Sequence, residues 1–278
     1  MEVIKSSGDR SPFSIEKVRQ SMLRTGAKPA LVEAVVKRVE AQVYDGISTR
    51  KLYEIVRDEL RKDSVCYSCK YNIREGIRKM GPAGFKFEKY VASILNAYNY
   101  QAYVPVDDLE GSCVNHEVDV IAEKDNRRMF IEAKFRNDFR GIVKLKDTMA
   151  TWSRFLDLVD GSAVGKCLHF DEVWLVTNAR FSDRSRQYGT CKGLRLIGWD
   201  FPKDKPFSKM VDHLALYPVT VIHNLTQKEL EGFAEIGMML CREVAEISPD
   251  ELSMRIEISF ERAAELIELC EEIVASAK

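Results

Sequence analysis

The stretch NHEVDVIAEKDNRRMFIEAKFR, Asn115 to Arg136, constrains this chain more than any other. Side chains two apart along a strand share a face, so in MFIEAKF Glu132 and Lys134 point one way while Ile131, Ala133 and Phe135 point the other. Upstream, HEVDVIA sets Val118 and Val120 against Glu117, Asp119 and Ile121. If the two strands pair through a turn at Lys124 to Arg128, Asp119 and Glu132 converge with Lys134 beside them. Two acids converging beside an amine in an apolar ribbon read as a divalent-metal site with a catalytic amine.

An acid, a gap of about a dozen residues and Glu-Ala-Lys in a hydrophobic strand resembles the PD-(D/E)xK nuclease superfamily, nearest its Mrr-like restriction-endonuclease branch. The surrounding order strengthens the resemblance. A helix from Phe85 to Tyr98 and a strand near Gln101 to Val104 precede the two strands above. After them come a long helix with Ile142, Leu145, Met149, Trp152, Leu156 and Val159 at helical spacing, the strand Val173 to Thr177, a short helix and a strand near Leu194 to Gly198. That is αβββαβ with an added helix and strand, a mixed α/β domain over residues 83–208.

The resemblance implies a DNA endonuclease in which Asp119 and Glu132, with the Ala133 carbonyl, hold Mg²⁺ or Mn²⁺. Lys134 would then orient the attacking water or balance charge on the phosphorane, and Glu88, at the edge of its helix's apolar face, would help ligate a second ion. The structural alternative for Glu88 is a side chain reaching solvent or an arginine. Arg136, Arg140 and Lys144 follow the site and suit DNA phosphates, although a solvated basic helix start explains them equally well. His116 reads as a packing or DNA-contact residue before a ligand.

Residues 1–82 are basic, with 17 Lys and Arg against 11 Asp and Glu, and residues 209–278 are acidic, with 6 against 14; the formal net charge of -1 hides this. The basic segment reads as a short strand, a turn at Ser7-Gly8-Asp9, a helix entered after Ser14, a second helix over Pro29 to Tyr44 and a third after Ser48-Thr49. Val3, Lys5, Gly8, Phe13, Lys17 and Val18, with Thr49 further on, resemble the ATP-cone, a regulatory nucleotide-binding domain. The resemblance implies ATP or dATP with Lys5 and Lys17 at the phosphates, Thr49 giving a hydroxyl, and Phe13, Val18 and Val3 giving apolar walls. Ser6 and Ser11 stand where the family often has a basic and an acidic residue.

Residues 209–278 read as four short helices, their starts marked by Thr226 to Glu229, by Ser248 to Glu251 and by Ser259. The run resembles helix-hairpin-helix modules, with Glu257 where glycine is usual, and its acidity favours packing or oligomerisation over DNA binding. Seven scattered cysteines exclude a disulfide framework. Cys66-Tyr-Ser-Cys69 has zinc-knuckle spacing but lacks a second pair nearby, so two helical cysteines are the plainer reading. With 45% hydrophobic residues and no membrane-length apolar run, the expectation is a multidomain cytoplasmic protein that contacts no membrane. Cutting both strands with one site per chain would call for a homodimer. The rival expectation is a nucleotide-sensing DNA-binding regulator whose nuclease fold only grips DNA.

Overall fold

The computed structural model describes residues 1–5, 8–81, 84–138 and 141–275. Ser6, Ser7, Pro82 and Arg140 lie outside them. The chain divides into two compact units, Met1–Ile77 with Tyr217–Lys278, and Arg78–Leu216. Where three segments were expected, the first and third share one unit.

In the first unit β1 (Glu2–Ile4) pairs antiparallel with β2 (Arg10–Pro12), and α1 (Ile15–Leu23) starts after Ser14, whose Oγ accepts from the Lys17 amide. The next helix, α2 (Pro29–Glu40), stops short of the expected Tyr44. The chain needs those residues to turn through Gly46, at φ +80°, and bring β3 (Ile47–Ser48) parallel to β1. Three further helices follow, α3 (Thr49–Asp63), α4 (Val65–Tyr71) and α5 (Ile73–Met80). Val3, Val18, Met22, Val36, Ile47 and Leu60 form the core of this segment. Cys66 and Cys69 are buried on α4 as helical residues.

The second unit begins with α6 (Phe87–Ala97) and β4 (Gln101–Tyr103), then a two-stranded ribbon of β5 (Leu109–Glu110) and β6 (Asn115–His116). Next come β7 (Val120–Lys124), β8 (Arg127–Lys134), β9 (Ile142–Val143) and α7 (Leu145–Ala163). The unit continues with β10 (Glu172–Thr177), β11 (Arg180–Phe181), α8 (Asp183–Lys192), β12 (Arg195–Ile197) and α9 (Phe207–His213). The main sheet has the order β12-β10-β8-β7-β4. β4, β7 and β8 form an antiparallel meander, to which β10 and β12 are added parallel.

Two expectations for the long helix need correction. Ile142 belongs to β9, which pairs with β11. The side of α7 that packs on the sheet carries Thr148, Thr151 and Leu158, all buried, whereas Met149 and Leu156 are exposed. Of the expected stripe, Trp152 packs against that core, partly buried, while Met149 and Leu156 stay outside it.

Back in the first unit, a short 3-10 turn at Val219–Val221 precedes α10 (Gln227–Glu235), α11 (Cys241–Ala245), α12 (Pro249–Ile256) and α13 (Phe260–Ala275). The Thr226 capping box forms as expected, Glu229 Oε2 taking the Thr226 amide at 2.6 Å and Thr226 Oγ1 the Glu229 amide at 3.2 Å. At Ser248 only the Oγ bond to the Glu251 amide is present. Glu257 ends α12 in the left-handed region, at φ +54°, where glycine costs least.

Candidate functional site

The β7–β8 hairpin sets the site. Its turn is two residues, Asp125 and Asn126, both at positive φ, shorter than the expected Lys124 to Arg128 connection and of the kind that matches strand twist. The register pairs Val120 with Ile131, so the end away from the turn presents Asp119 beside Glu132, Ala133 and Lys134. Asp119 itself falls in the break between β6 and β7 rather than inside a strand. That break frees its carboxylate to accept the Ala133 amide at 2.7 Å.

Alternation decides what each side chain meets. Phe130 belongs to the core between the sheet and α7, so Glu132 and Lys134, two and four residues on, continue that face toward the strand end. Ile131, Ala133 and Phe135 lie opposite, where Phe135 packs on Phe87 of α6, with ring centroids 5.5 Å apart. Glu88, next to Phe87, thus belongs to a helix on the other face from Glu132. It acts on Asp119 through space as the last of several charge effects.

Burial is the main cause that pushes the Asp119 carboxyl up to about 6, and repulsion from Glu132 adds to it. The Ala133 amide and Arg154 pull the other way without cancelling it. On α7 the guanidinium of Arg154 binds Glu132 Oε2 through Nη1 and the Glu117 carbonyl through Nη2. Lys134 is a loose partner, its Nζ 4.0 Å from Glu132 Oε1 and its side chain about one-third exposed. A pocket of about 380 Å³ opens here, lined by Glu132, Lys134, Lys146, Asp147, Thr151 and Arg154 among others.

Sequence reasoning missed Arg154 and Asp147. Their signal is a polar row at 147, 151 and 154, helical spacing on a helix whose apolar stripe lies elsewhere. Asp147 caps α7 by accepting the Lys144 amide at 2.9 Å and pairs with Arg136 Nη2 at 3.2 Å. Asn178 clamps the Arg136 backbone from both sides, accepting its amide at 2.8 Å and donating to its carbonyl at 2.9 Å. Arg136 is therefore an anchored residue at the rim, and Lys144 is exposed there. His116 faces Asp157 at 2.8 Å, a packing partnership.

Whether the site suits a divalent ion can be judged from the donors present. Asp119 and Glu132 carry hard oxygen donors whose mutual repulsion a cation would relieve. Among the described residues, however, no three His, Cys, Asp or Glu side chains gather into a metal-binding group. The two acids fit as part of a shell completed by water, and Glu88 is not gathered with them.

In the first unit, the pairing of Ile4 with Ser48 sets Lys5, which follows β1, and Thr49, which opens α3, at one end of the small sheet. Val3 and Val18 are buried in the core, Phe13 packs against it and Lys17 is exposed on α1.

Comparison with known proteins bears on both units. Residues 1–75 match the ATP cone domain, which points to nucleotide-binding regulation. Residues 217–274 match the AF1548-like C-terminal domain, beginning where the first unit resumes. An uncharacterized protein of Archaeoglobus fulgidus is 29% identical over 184 residues, 66% of this chain and 99% of that protein. A crystal structure described as a protein of unknown function, AF1548, superimposes with a TM-score of 0.56 at 30% identity, covering 68% of this chain and 98% of that one. Among the described residues no helix is long and apolar enough to cross a membrane. With an ATP-cone domain at its front and nearly the whole of AF1548 matched, the chain belongs to the family of AF1548.

Proposed function

We propose that the Arg78–Leu216 unit is a Mg²⁺- or Mn²⁺-dependent DNA endonuclease hydrolysing phosphodiester bonds, and that ATP or dATP bound by the ATP-cone domain regulates it. The observation that carries this reading is Asp119 meeting Glu132 and Lys134 at one end of a meander extended by a parallel strand. In support stand α6, the antiparallel meander of β4, β7 and β8, α7 and the parallel strand β10, in that order along the chain. When bound, a divalent ion would polarise a phosphoryl oxygen and acidify water. Asp119 and Glu132 would hold it, while Lys134, loosely paired and part-exposed, would balance charge growing on the phosphorane. Lys144 and Lys146, exposed at the start of α7, would take neighbouring phosphates.

Plasmid incubated with Mg²⁺ or Mn²⁺ should be nicked or cut by the wild type, and Lys134→Ala should lower the rate by roughly 100-fold or more, the effect of deleting one charge-stabilising group. Intact plasmid with wild-type protein at every metal concentration rejects the enzyme. Isothermal titration with ATP and dATP tests the front domain, and a flat trace for both rejects the regulation.

A second reading, a nucleotide-sensing regulator that grips DNA without cutting it, draws support from the charge balance around Glu132, whose carboxylate already has a guanidinium partner. It predicts a DNA mobility shift with no cleavage, unchanged by Mn²⁺.

A further inference from the structure

Arg154 is the cation nearest Glu132, and only one of its two arms is held by a charged partner. One arm of its fork binds Glu132, a charged partner, and the other a backbone carbonyl, Glu117, which is neutral. The guanidinium lies over the Phe130 ring, 5.7 Å from its centroid, and about a quarter of the side chain is exposed. It lines the same pocket as Lys134 and Lys146, whose other carboxylate, Asp147, already pairs with Arg136. Remove Glu132 from this balance and the pocket holds a forked cation flanked by two lysines. That arrangement recognises a phosphate, which a guanidinium binds through two parallel hydrogen bonds.

We propose that Arg154 is a positioning residue serving two anions in turn: Glu132 while the carboxylates are without a divalent ion, and a phosphate of the DNA strand once such an ion has claimed Glu132. This rests on the metal-dependent reading of the site. It adds that metal and guanidinium compete for one carboxylate, so that ion binding itself creates the phosphate subsite. An arginine that only pairs with Glu132 would give the competition but no gain in DNA affinity on ion binding.

The test uses the full chain at neutral pH, with Mn²⁺ alone as the first probe and free Mn²⁺ read by electron paramagnetic resonance. Arg154→Gln, which keeps a hydrogen-bonding head without charge, should bind Mn²⁺ about tenfold more tightly than the wild type, and Arg154→Lys should fall between them. The second probe is a short DNA duplex: Mn²⁺ should raise the wild type's affinity for it, and Arg154→Gln should lose that gain despite its tighter ion. Unchanged or weaker Mn²⁺ binding in a folded Arg154→Gln protein, with a wild type that binds Mn²⁺ and cuts DNA, overturns this inference alone. Failure of both proteins to bind Mn²⁺ overturns it together with the reading beneath it. Should Arg154→Gln not fold, Arg154→Lys decides, and an affinity equal to the wild type's counts against the proposal.

Discussion

Asp119 and Asp157 belong to the same unit, yet their surroundings drive them in opposite directions. Asp157, on α7, is held down to about 2, first by His116 and further by Cys113 and Val114, whose amides reach it at 2.9 and 3.4 Å. Gly111 passes so close that a Cβ there would collide with Asp157 Oδ2, so the loop between β5 and β6 is wrapped around the carboxylate. Asp119 receives one amide and faces another acid, and burial lifts it to about 6. An acid that fastens a loop is given donors by that loop. Asp119 is left short of donors, an imbalance that the proposed metal ion would relieve.

The first way to break this contrast is Asp119→Asn. Because the folded carboxyl titrates near 6 and an unfolded one near 3.8, the folded state holds a proton between those values that the unfolded state has released. Stability contributed by Asp119 therefore falls as pH rises from about 4 to about 6 and then levels off. Asparagine stays neutral and can still accept the Ala133 amide. Denaturant melts should show the variant more stable than wild type at pH 7 to 8 by on the order of 2 kcal/mol, and nearly equal to it at pH 4. The same variant should lose DNA cleavage. A gain in stability that does not vary with pH would mean that Asp119 is an ordinary surface acid.

How far the chain could be read from its residues differs between the same two places. Asp119 and Glu132 were legible because each flanks a run of consecutive buried apolar residues, Val120 to Ala122 and Met129 to Ile131, and the antiparallel register sets those flanking acids side by side. The helix α7 resisted reading: Met149 and Leu156 belong to the more apolar row and stay exposed, although Trp152 of that row reaches the core, while the fully buried positions are Thr148, Thr151 and Leu158. What decides that rotation is the polar row Asp147, Thr151 and Arg154, which must face Glu132 and Arg136, partners distant in sequence. The association of residues 217–278 with the front segment was equally hidden. It depends on contacts such as Cys66 Sγ to the Glu272 carbonyl and Thr220 Oγ1 to the Gly76 carbonyl, which carry no local signature.

A smaller effect sharpens the contrast from the other side. In Asp157→Asn the amide nitrogen cannot accept, so at least one of the bonds from Cys113, Val114 and His116 must be given up. The wild-type carboxyl is depressed relative to 3.8, hence its contribution is complete above about pH 4 and disappears as pH falls toward 2. The variant should lack that acid-side slope. At neutral pH its Cys113 and Val114 amides should exchange with solvent roughly three- to tenfold faster than in wild type, the scale of one weak hydrogen bond lost. Cleavage should be little changed, because Asp157 touches the loop and not the acids, so a large loss of activity would show that the loop helps to position Asp119 and that the two aspartates are parts of one device.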